Sequence, residues 1–208
     1  MMKKLLVFLV LASAACDKPA PTPPATQTAS QTAAVVAPEP PKTWQVVDST
    51  TLTQSQNEQL AKAQDAQKTL GTQLVQTLMT TANQDGYPNA VEFCNVQAPV
   101  IAAEVAAAKG VKIGRTSDKL RNVKNTAPEW FANLEKSDSV AVLTGPNGEL
   151  GWVAPIKAAQ VCLNCHGTTE RVAPDVASVI AEKYPEDKAM GYEEGDLRGW
   201  FWVEVPAS

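Results

Sequence analysis

The chain has 208 residues, of which 44% are hydrophobic and 19% are charged, with a formal net charge of −4 and a pI of about 5.1. This length supports one domain of ordinary size with appendages, and a core large enough to enclose a cofactor. The acidic balance, without a cluster of Lys and Arg interleaved with aromatic residues, excludes the usual basic surfaces for nucleic acid and for anionic lipid.

Residues 1–15 have the pattern of an export signal. Two lysines precede an apolar run over residues 5–12, which is too short to span a bilayer, and small residues lead directly to Cys16. This resembles the lipobox of bacterial lipoproteins, although Ser13 stands where Leu is commoner. Ordinary cleavage or a stray free Cys is the alternative. We therefore expect lipidation of Cys16 and a periplasmic protein that a lipid anchor holds at the membrane.

Residues 16–43 are rich in Pro, Thr and Ala and have no apolar periodicity. Such a composition is typical of a disordered, partly extended tether. The sequence thus predicts three parts, which are a signal peptide over residues 1–15, a lipidated tether over residues 16–43, and a folded domain over residues 44–208.

Two helices open the folded domain. Ser55 and Glu58 have the spacing of a capping box, and apolar residues at helical intervals predict a long helix over about residues 53–83. Gly86 ends this helix, and a second helix follows, with Pro88 in its first turn.

The second helix has an apolar face that includes Cys94 and ends at Gly110. Pro99 lies inside it, where the ring removes the amide that would bond to the carbonyl of Asn95. We expect the helix to bend within a turn of Cys94.

The rest of the chain has the periodicity of strands with short helices between them. Strands are predicted at residues 111–115, 139–144, 150–157 and 197–205, with a short helix opening at Pro128, a hairpin turn at 145–148 and a helix at 174–183. Two helices followed by hairpin-connected strands predict an α+β domain with an antiparallel sheet.

The motif Cys162-Leu-Asn-Cys165-His166 has the spacing at which two thiols capture the two vinyl groups of one haem. The adjoining His166, which is the only histidine in the chain, then becomes the proximal ligand of the iron. A zinc site would need two further ligands, and a thioredoxin-like redox pair would normally lie within a βαβ pattern. A disulfide between Cys162 and Cys165 remains the strongest alternative, yet it leaves His166 unexplained. We expect one covalent haem c.

Counting the cysteines leaves Cys94 without a role, because Cys16 is assigned to lipid and the other two to haem. An unpaired thiol in an exported protein requires an explanation. The second axial ligand of the iron cannot be a second histidine, so Cys94, Met79, Met190, a lysine and water are the candidates. A small buried core residue is the alternative interpretation of Cys94.

Three stretches of the sequence resemble the family of PAS-like c-type haem domains, which occur alone in exported proteins and as sensor domains of histidine kinases. They are VKIGRTS at 111–117 with LRN at 120–122 and PEW at 128–130, then PI at 155–156 with CLNCHG at 162–167, then YPEDKA at 184–189 with GDLRG at 195–199. The resemblance implies a PAS-like antiparallel sheet with long N-terminal helices and a cysteine sulfur as second axial ligand, at the position of Cys94. One departure is Val123 after Asn122, where the family commonly has Pro.

Haem propionates need cations or amide donors, and the matched polar stretch supplies Arg115, Arg121 and Asn122. The alternative interpretation is that these residues lie in a solvent-exposed loop. Acidic residues within 182–196 are either a docking patch for a basic redox partner or a solvated loop.

We expect a redox or small-ligand sensor that passes its signal to a separate signalling protein. The alternative is a low-potential electron-transfer cytochrome with a redox partner protein. An enzyme is not expected, because His166 is already used and no other histidine is available for catalysis.

Overall fold

The structure, a computed structural model, describes residues 43–207, so the predicted signal peptide, most of the tether and Cys16 lie outside it. The helices are α1 (Gln54–Asp85), α2 (Tyr87–Lys109), α3 (Leu163–His166) and α4 (Pro174–Lys183), and the strands are β1 (Gln45–Val47), β2 (Lys112–Thr116), β3 (Ala141–Thr144), β4 (Leu150–Lys157) and β5 (Leu197–Val205). Single 3-10 turns lie at Ser49–Thr51, Glu129–Asn133 and Gln160–Cys162.

The start of α1 differs from its prediction. Thr53 Oγ accepts from the Gln56 amide at 3.3 Å, while Gln56 Oε1 accepts from the Thr53 amide at 2.9 Å. This capping box has the same spacing as the predicted Ser55 and Glu58 pair but lies two residues earlier. The predicted pair is therefore wrong, and Ser55 lies inside the helix.

Gly86, with φ of +88°, ends α1 and begins α2, and Pro88 occupies the first turn of α2 as predicted. Of the helices in residues 43–207, α2 is the one long and apolar enough to cross a membrane by composition. Its buried face nevertheless packs against α1, α4 and β2. We therefore interpret α2 as a core helix, and Pro99 lies within it.

The five strands form one sheet in the order β1-β3-β4-β5-β2, and every neighbouring pair is antiparallel. The predicted hairpin joins β3 to β4, with the Gly145 amide donating to the Glu149 carbonyl at 2.8 Å. The predicted α+β class with an antiparallel sheet is confirmed, and the arrangement is consistent with a PAS-like fold.

Both faces of the sheet are buried. On one face Leu150 and Val203 pack with Leu70 of α1 and with α2. On the other, Trp200 and Val153 pack with the aromatic cluster that the Glu129–Asn133 turn supplies. Each buried aliphatic or aromatic side chain contributes about 1.5–3 kcal/mol, so the sheet and α1 form a rigid base for the remaining segments.

The register between β4 and β5 changes at one point. Ile156 pairs with Gly199, whereas Lys157 pairs with Leu197, so Arg198 has no partner across β4. A bulge of this kind redirects a side chain. Arg198 is therefore placed by the bulge rather than by the regular alternation of β5.

Candidate functional site

The Cys-x-x-Cys-His motif lies on two successive short turns. Cys162 ends the 3-10 turn and is the N-cap of α3, which carries Cys165 and His166. Cys162 and Cys165 are both free thiols in the structure. Burial raises the pKa of Cys165 to about 11. The helical turn thus holds two thiols and an imidazole next to one another.

His166 has a fixed orientation. Its Nδ1 lies 2.8 Å from the carbonyl oxygen of Ala189. A carbonyl can only accept a hydrogen bond, so Nδ1 must donate and the lone pair of Nε2 is left for another ligand. Burial, together with the nearby Arg121, lowers the pKa of His166 well below its ordinary value and keeps the ring neutral. Histidines that bind metals are commonly in this form, in which the imidazole is neutral and the ring nitrogen that does not bind the metal donates to a carbonyl.

The segment that supplies Ala189 is held against the motif by the backbone. The amide of Gly191 donates to the Gly167 carbonyl at 2.9 Å, and the amide of Tyr192 donates to the His166 carbonyl at 3.0 Å. The Tyr192 ring meets the imidazole edge to face, with centroids 6.4 Å apart. These contacts keep Ala189 in position as the acceptor for His166.

Cys94 lies on α2, which packs against α3 and α4. Asn164 Nδ2 donates to the Tyr87 hydroxyl at 2.8 Å and ties the start of α2 to the motif, while Asn95 Nδ2 donates to the Lys183 carbonyl at 3.3 Å. Cys94 is a half-buried free thiol. Its helix is therefore fixed against the segment that carries His166.

The same three arginines affect the pKa values of Cys94 and His166. Burial raises the pKa of the Cys94 thiol, and Arg115, Arg121 and Arg198 oppose that rise. The same three guanidinium groups act on His166. Cys94 and His166 therefore lie within electrostatic range of the same three arginines.

Two of these arginines, Arg115 and Arg198, have no carboxylate partner among the described residues. Within residues 43–207, Arg121 is the arginine that forms an ion pair; the other ion pairs there belong to lysines. Burial lowers the pKa of Arg115, and Cys94 and Tyr184 are the groups that oppose the shift. Arg198 Nε is buried without a hydrogen-bond partner, and its Nη1 makes one long bond of 3.4 Å to the Lys119 carbonyl. Both cations are thus available to an anion.

Arg121 forms a buried ion pair within the chain. Its Nη2 lies 3.0 Å from Asp187 Oδ2 and 2.7 Å from the Cys165 carbonyl, and its Nε lies 3.2 Å from Asp187 Oδ1. Both side chains are buried, with 9% of each exposed. These contacts hold Arg121 between Asp187 and the backbone of the Cys-x-x-Cys-His motif.

The remaining candidate residues from the sequence are Asn122, Met190 and Met79. Asn122 Oδ1 accepts from the Lys124 amide at 2.9 Å and forms a turn without the family's proline. Met190 packs in the cluster that includes Cys165, and its sulfur lies 3.3 Å from Arg121 Nη2. Met79 is half-buried on α1. Arg198 was missed by the sequence interpretation, although it lies in the stretch GDLRG that carries the resemblance.

A model of the Tll0287-like family matches residues 25–206, a span that includes Cys94 and the Cys-x-x-Cys-His motif. Among solved structures, the crystal structure of the cyanobacterial heme-protein Tll0287 is similar, with 28% sequence identity and a TM-score of 0.52. The match covers 72% of this chain and 95% of that chain. No curated protein matches the chain.

Proposed function

Because the chain belongs to the Tll0287-like family, and is similar to a solved heme-protein, we propose that it is a c-type haem protein. Cys162 and Cys165 would carry one covalent haem, and His166 and Cys94 would bind its iron. The observation that carries the proposal is the orientation of His166, whose Nδ1 is committed to the Ala189 carbonyl so that Nε2 is free for iron.

The arginines support the fit of this cofactor. Haem has two propionates, and two half-buried guanidinium groups beside the motif, those of Arg115 and Arg198, have no carboxylate in residues 43–207. Buried charge is costly unless it is paired. Each of these arginines is proposed to hold one propionate, which is the planar, bidentate pairing that a guanidinium favours.

The chain's own residues prepare the site for ligation. Burial raises the pKa of the Cys94 thiol and favours its protonated form, so iron binding would displace that proton. The resulting thiolate would donate charge to the iron, favour Fe(III) over Fe(II) and so lower the potential. Haem, once bound, supplies a one-electron couple. A small change at the Cys94 sulfur therefore shifts the balance between oxidation states.

Acid extraction of haem tests the covalent attachment. Haem is expected to stay with wild-type protein in acidified organic solvent, since two thioethers hold it. The variants Cys162→Ser and Cys165→Ser are expected to keep a single thioether and to retain haem poorly. Haem that extracts freely from the matured wild-type protein would refute the c-type assignment.

We propose that the protein senses redox state or a small ligand, and passes the signal to a separate protein. The feature that favours sensing is that Cys94 lies on α2, which packs against the N-terminal helix α1. Release of the Cys94 sulfur from iron would therefore change the packing of helices outside the site. No catalytic role is proposed. Electron transfer at low potential is the second candidate.

A potentiometric titration with optical spectra before and after addition of CO separates the two roles. Loss of the sulfur ligand and gas binding on reduction are expected for the sensor. Rapid, reversible reduction with unchanged ligation would instead favour the electron carrier.

Export and membrane attachment belong to the same proposal and rest on the sequence alone. The signal peptide, the lipidated Cys16 and the tether would place the haem domain in the periplasm, at some distance from the membrane that anchors it.

A further inference from the structure

The guanidinium of Arg121 and the imidazole of His166 meet at one oxygen atom. Arg121 Nη2 donates to the Ala189 carbonyl at 3.2 Å, and His166 Nδ1 donates to the same oxygen at 2.8 Å. The backbone around this oxygen is also fixed by the ion pair, because Asp187 Oδ1 accepts from the Ala189 amide at 2.8 Å. The pair therefore contacts both the amide and the carbonyl of Ala189, the residue that accepts the hydrogen bond of His166.

We infer that Arg121 and Asp187 are positioning residues that tune the proximal histidine through the shared carbonyl of Ala189. This inference rests on the proposed function, because it concerns the ligand strength of His166 toward haem iron. The residues belong to separate segments, with Arg121 after β2 and Asp187 after α4. Their buried ion pair therefore joins two loops at the histidine.

The direction of the effect follows from how a carbonyl oxygen is shared. A second donor, especially a cationic one, withdraws electron density from the oxygen and makes it a weaker acceptor for Nδ1–H. The imidazole then keeps less imidazolate character and donates less charge to iron. Arg121 is accordingly expected to raise the midpoint potential above the value that an unshared carbonyl would give.

Asp187 moderates this effect. Its carboxylate accepts from both Nε and Nη2 of Arg121 and neutralises part of the guanidinium charge. Removing one partner alone would leave a buried charge unpaired, which is strongly destabilising. The informative change is therefore a double substitution, which removes both charges and leaves the net charge of the site unaltered.

The experiment compares wild-type protein with Arg121→Gln/Asp187→Asn. Haem retention, the midpoint potential and the NMR shift of the His166 Nδ1 proton in the ferrous, CO-bound protein are measured for both. The double variant is expected to keep its haem, to have a lower midpoint potential and to show the Nδ1 proton farther downfield, because the carbonyl is now a stronger acceptor. The net charge of the site is the same in this variant as in the wild-type protein.

If the double variant keeps its haem together with the wild-type proton shift and midpoint potential, the inference is overturned and the haem assignment stands. If wild-type protein carries no haem, the proposed function itself has failed.

Discussion

Arg115 and Arg198 are the arginines at the site that form no ion pair within residues 43–207. Arg115 lies on β2 and Arg198 at the bulge of β5, and these strands are neighbours in the sheet. Two guanidinium groups held near one another repel unless anions separate them. Propionates would remove both the repulsion and the cost of burying each charge.

Replacing either arginine by glutamine is expected to lower the midpoint potential, because a positive charge near the iron favours Fe(II). A unit charge at ~10 Å in a medium of effective dielectric ~20 contributes roughly 1.7 kcal/mol, so the shift per arginine should be on the order of 1 kcal/mol. The freed propionate should also take up a proton more readily, so the potential should become more dependent on pH. Potentiometric titrations at several pH values measure both effects.

The exposed Arg171, which lies after the motif, offers a matched control. Arg171→Gln removes the same charge and should change the potential far less. Equal shifts in all three variants would show that only net charge matters and would contradict the propionate contacts.

At the scale of single residues, the spacing of the motif predicts that Cys162, Cys165 and His166 lie close together, and the structure has all three on two successive short turns. The ion pair of Arg121 with Asp187 was not predicted, since Asp187 stands among the acidic residues of 182–196 and looks like one more solvated charge. Both residues lie in stretches that carry the family resemblance, and this was the feature of the sequence from which their pairing could have been proposed.

At the scale of elements, the pairing of β5 with β2 depends on Gly199. Its φ is +156°, and a Cβ there would lie 2.2 Å from the Thr116 carbonyl oxygen. A side chain would therefore push the two strands apart beside Arg198. No other residue type fits this close approach of the backbones.

Gly199→Ala is expected to destabilise the domain by roughly 2 kcal/mol or more, through overpacking against backbone that cannot yield. Gly71→Ala in α1 is a control for which the opposite change in stability is expected. A Cβ there would make ordinary contacts at 3.5 Å or more, and alanine in a helix interior should stabilise by about 0.5–1 kcal/mol. Chemical unfolding of the two variants compares these effects; a Gly199→Ala protein as stable as wild type would show that β2 and β5 can separate at no cost.

Most elements could be predicted from periodicity, because both faces of β5 and one face of each long helix are buried and so constrain the sequence. β1 was not predicted, since three residues are too few to show alternation and its side chains are mostly exposed at the sheet edge. The β4–β5 bulge was also missed. Its position follows from the pairing of two distant segments, which no local pattern contains.

At the scale of the whole molecule, attachment to the membrane is expected to depend on Cys16, which lies outside the described residues. The Cys16→Ser variant should appear in the soluble periplasmic fraction, whereas wild-type protein should sediment with membranes, because acyl chains supply the membrane affinity. Fractionation followed by haem staining measures this. Equal distribution of the two proteins would refute the lipid anchor and leave residues 16–43 as a linker alone.

The sensor proposal requires that the iron be coupled to the helices, and α2 is the element that would provide the coupling. Its middle carries Cys94 and Pro99, while its flanks pack against α1 and α4. Reduction removes a positive charge from the iron, so the affinity of the thiolate for iron falls and its affinity for a proton rises. A helix that lacks one backbone hydrogen bond beside Pro99 would bend there when the sulfur is released.

Hydrogen exchange of α2 is therefore expected to be faster in the ferrous than in the ferric protein over about one turn on either side of Cys94. The buried stretch of α1 near Leu70 should exchange equally slowly in both states, because it packs on the sheet rather than on the site. In Cys94→Ala the difference should vanish, with α2 fast in both states, and the midpoint potential should rise as the donating sulfur is lost. The same variant should bind CO without prior loss of a ligand. Identical exchange of wild-type α2 in both oxidation states would instead show that the sulfur stays on the iron or that its release is not transmitted, and simple electron transfer would then be the better account of the protein.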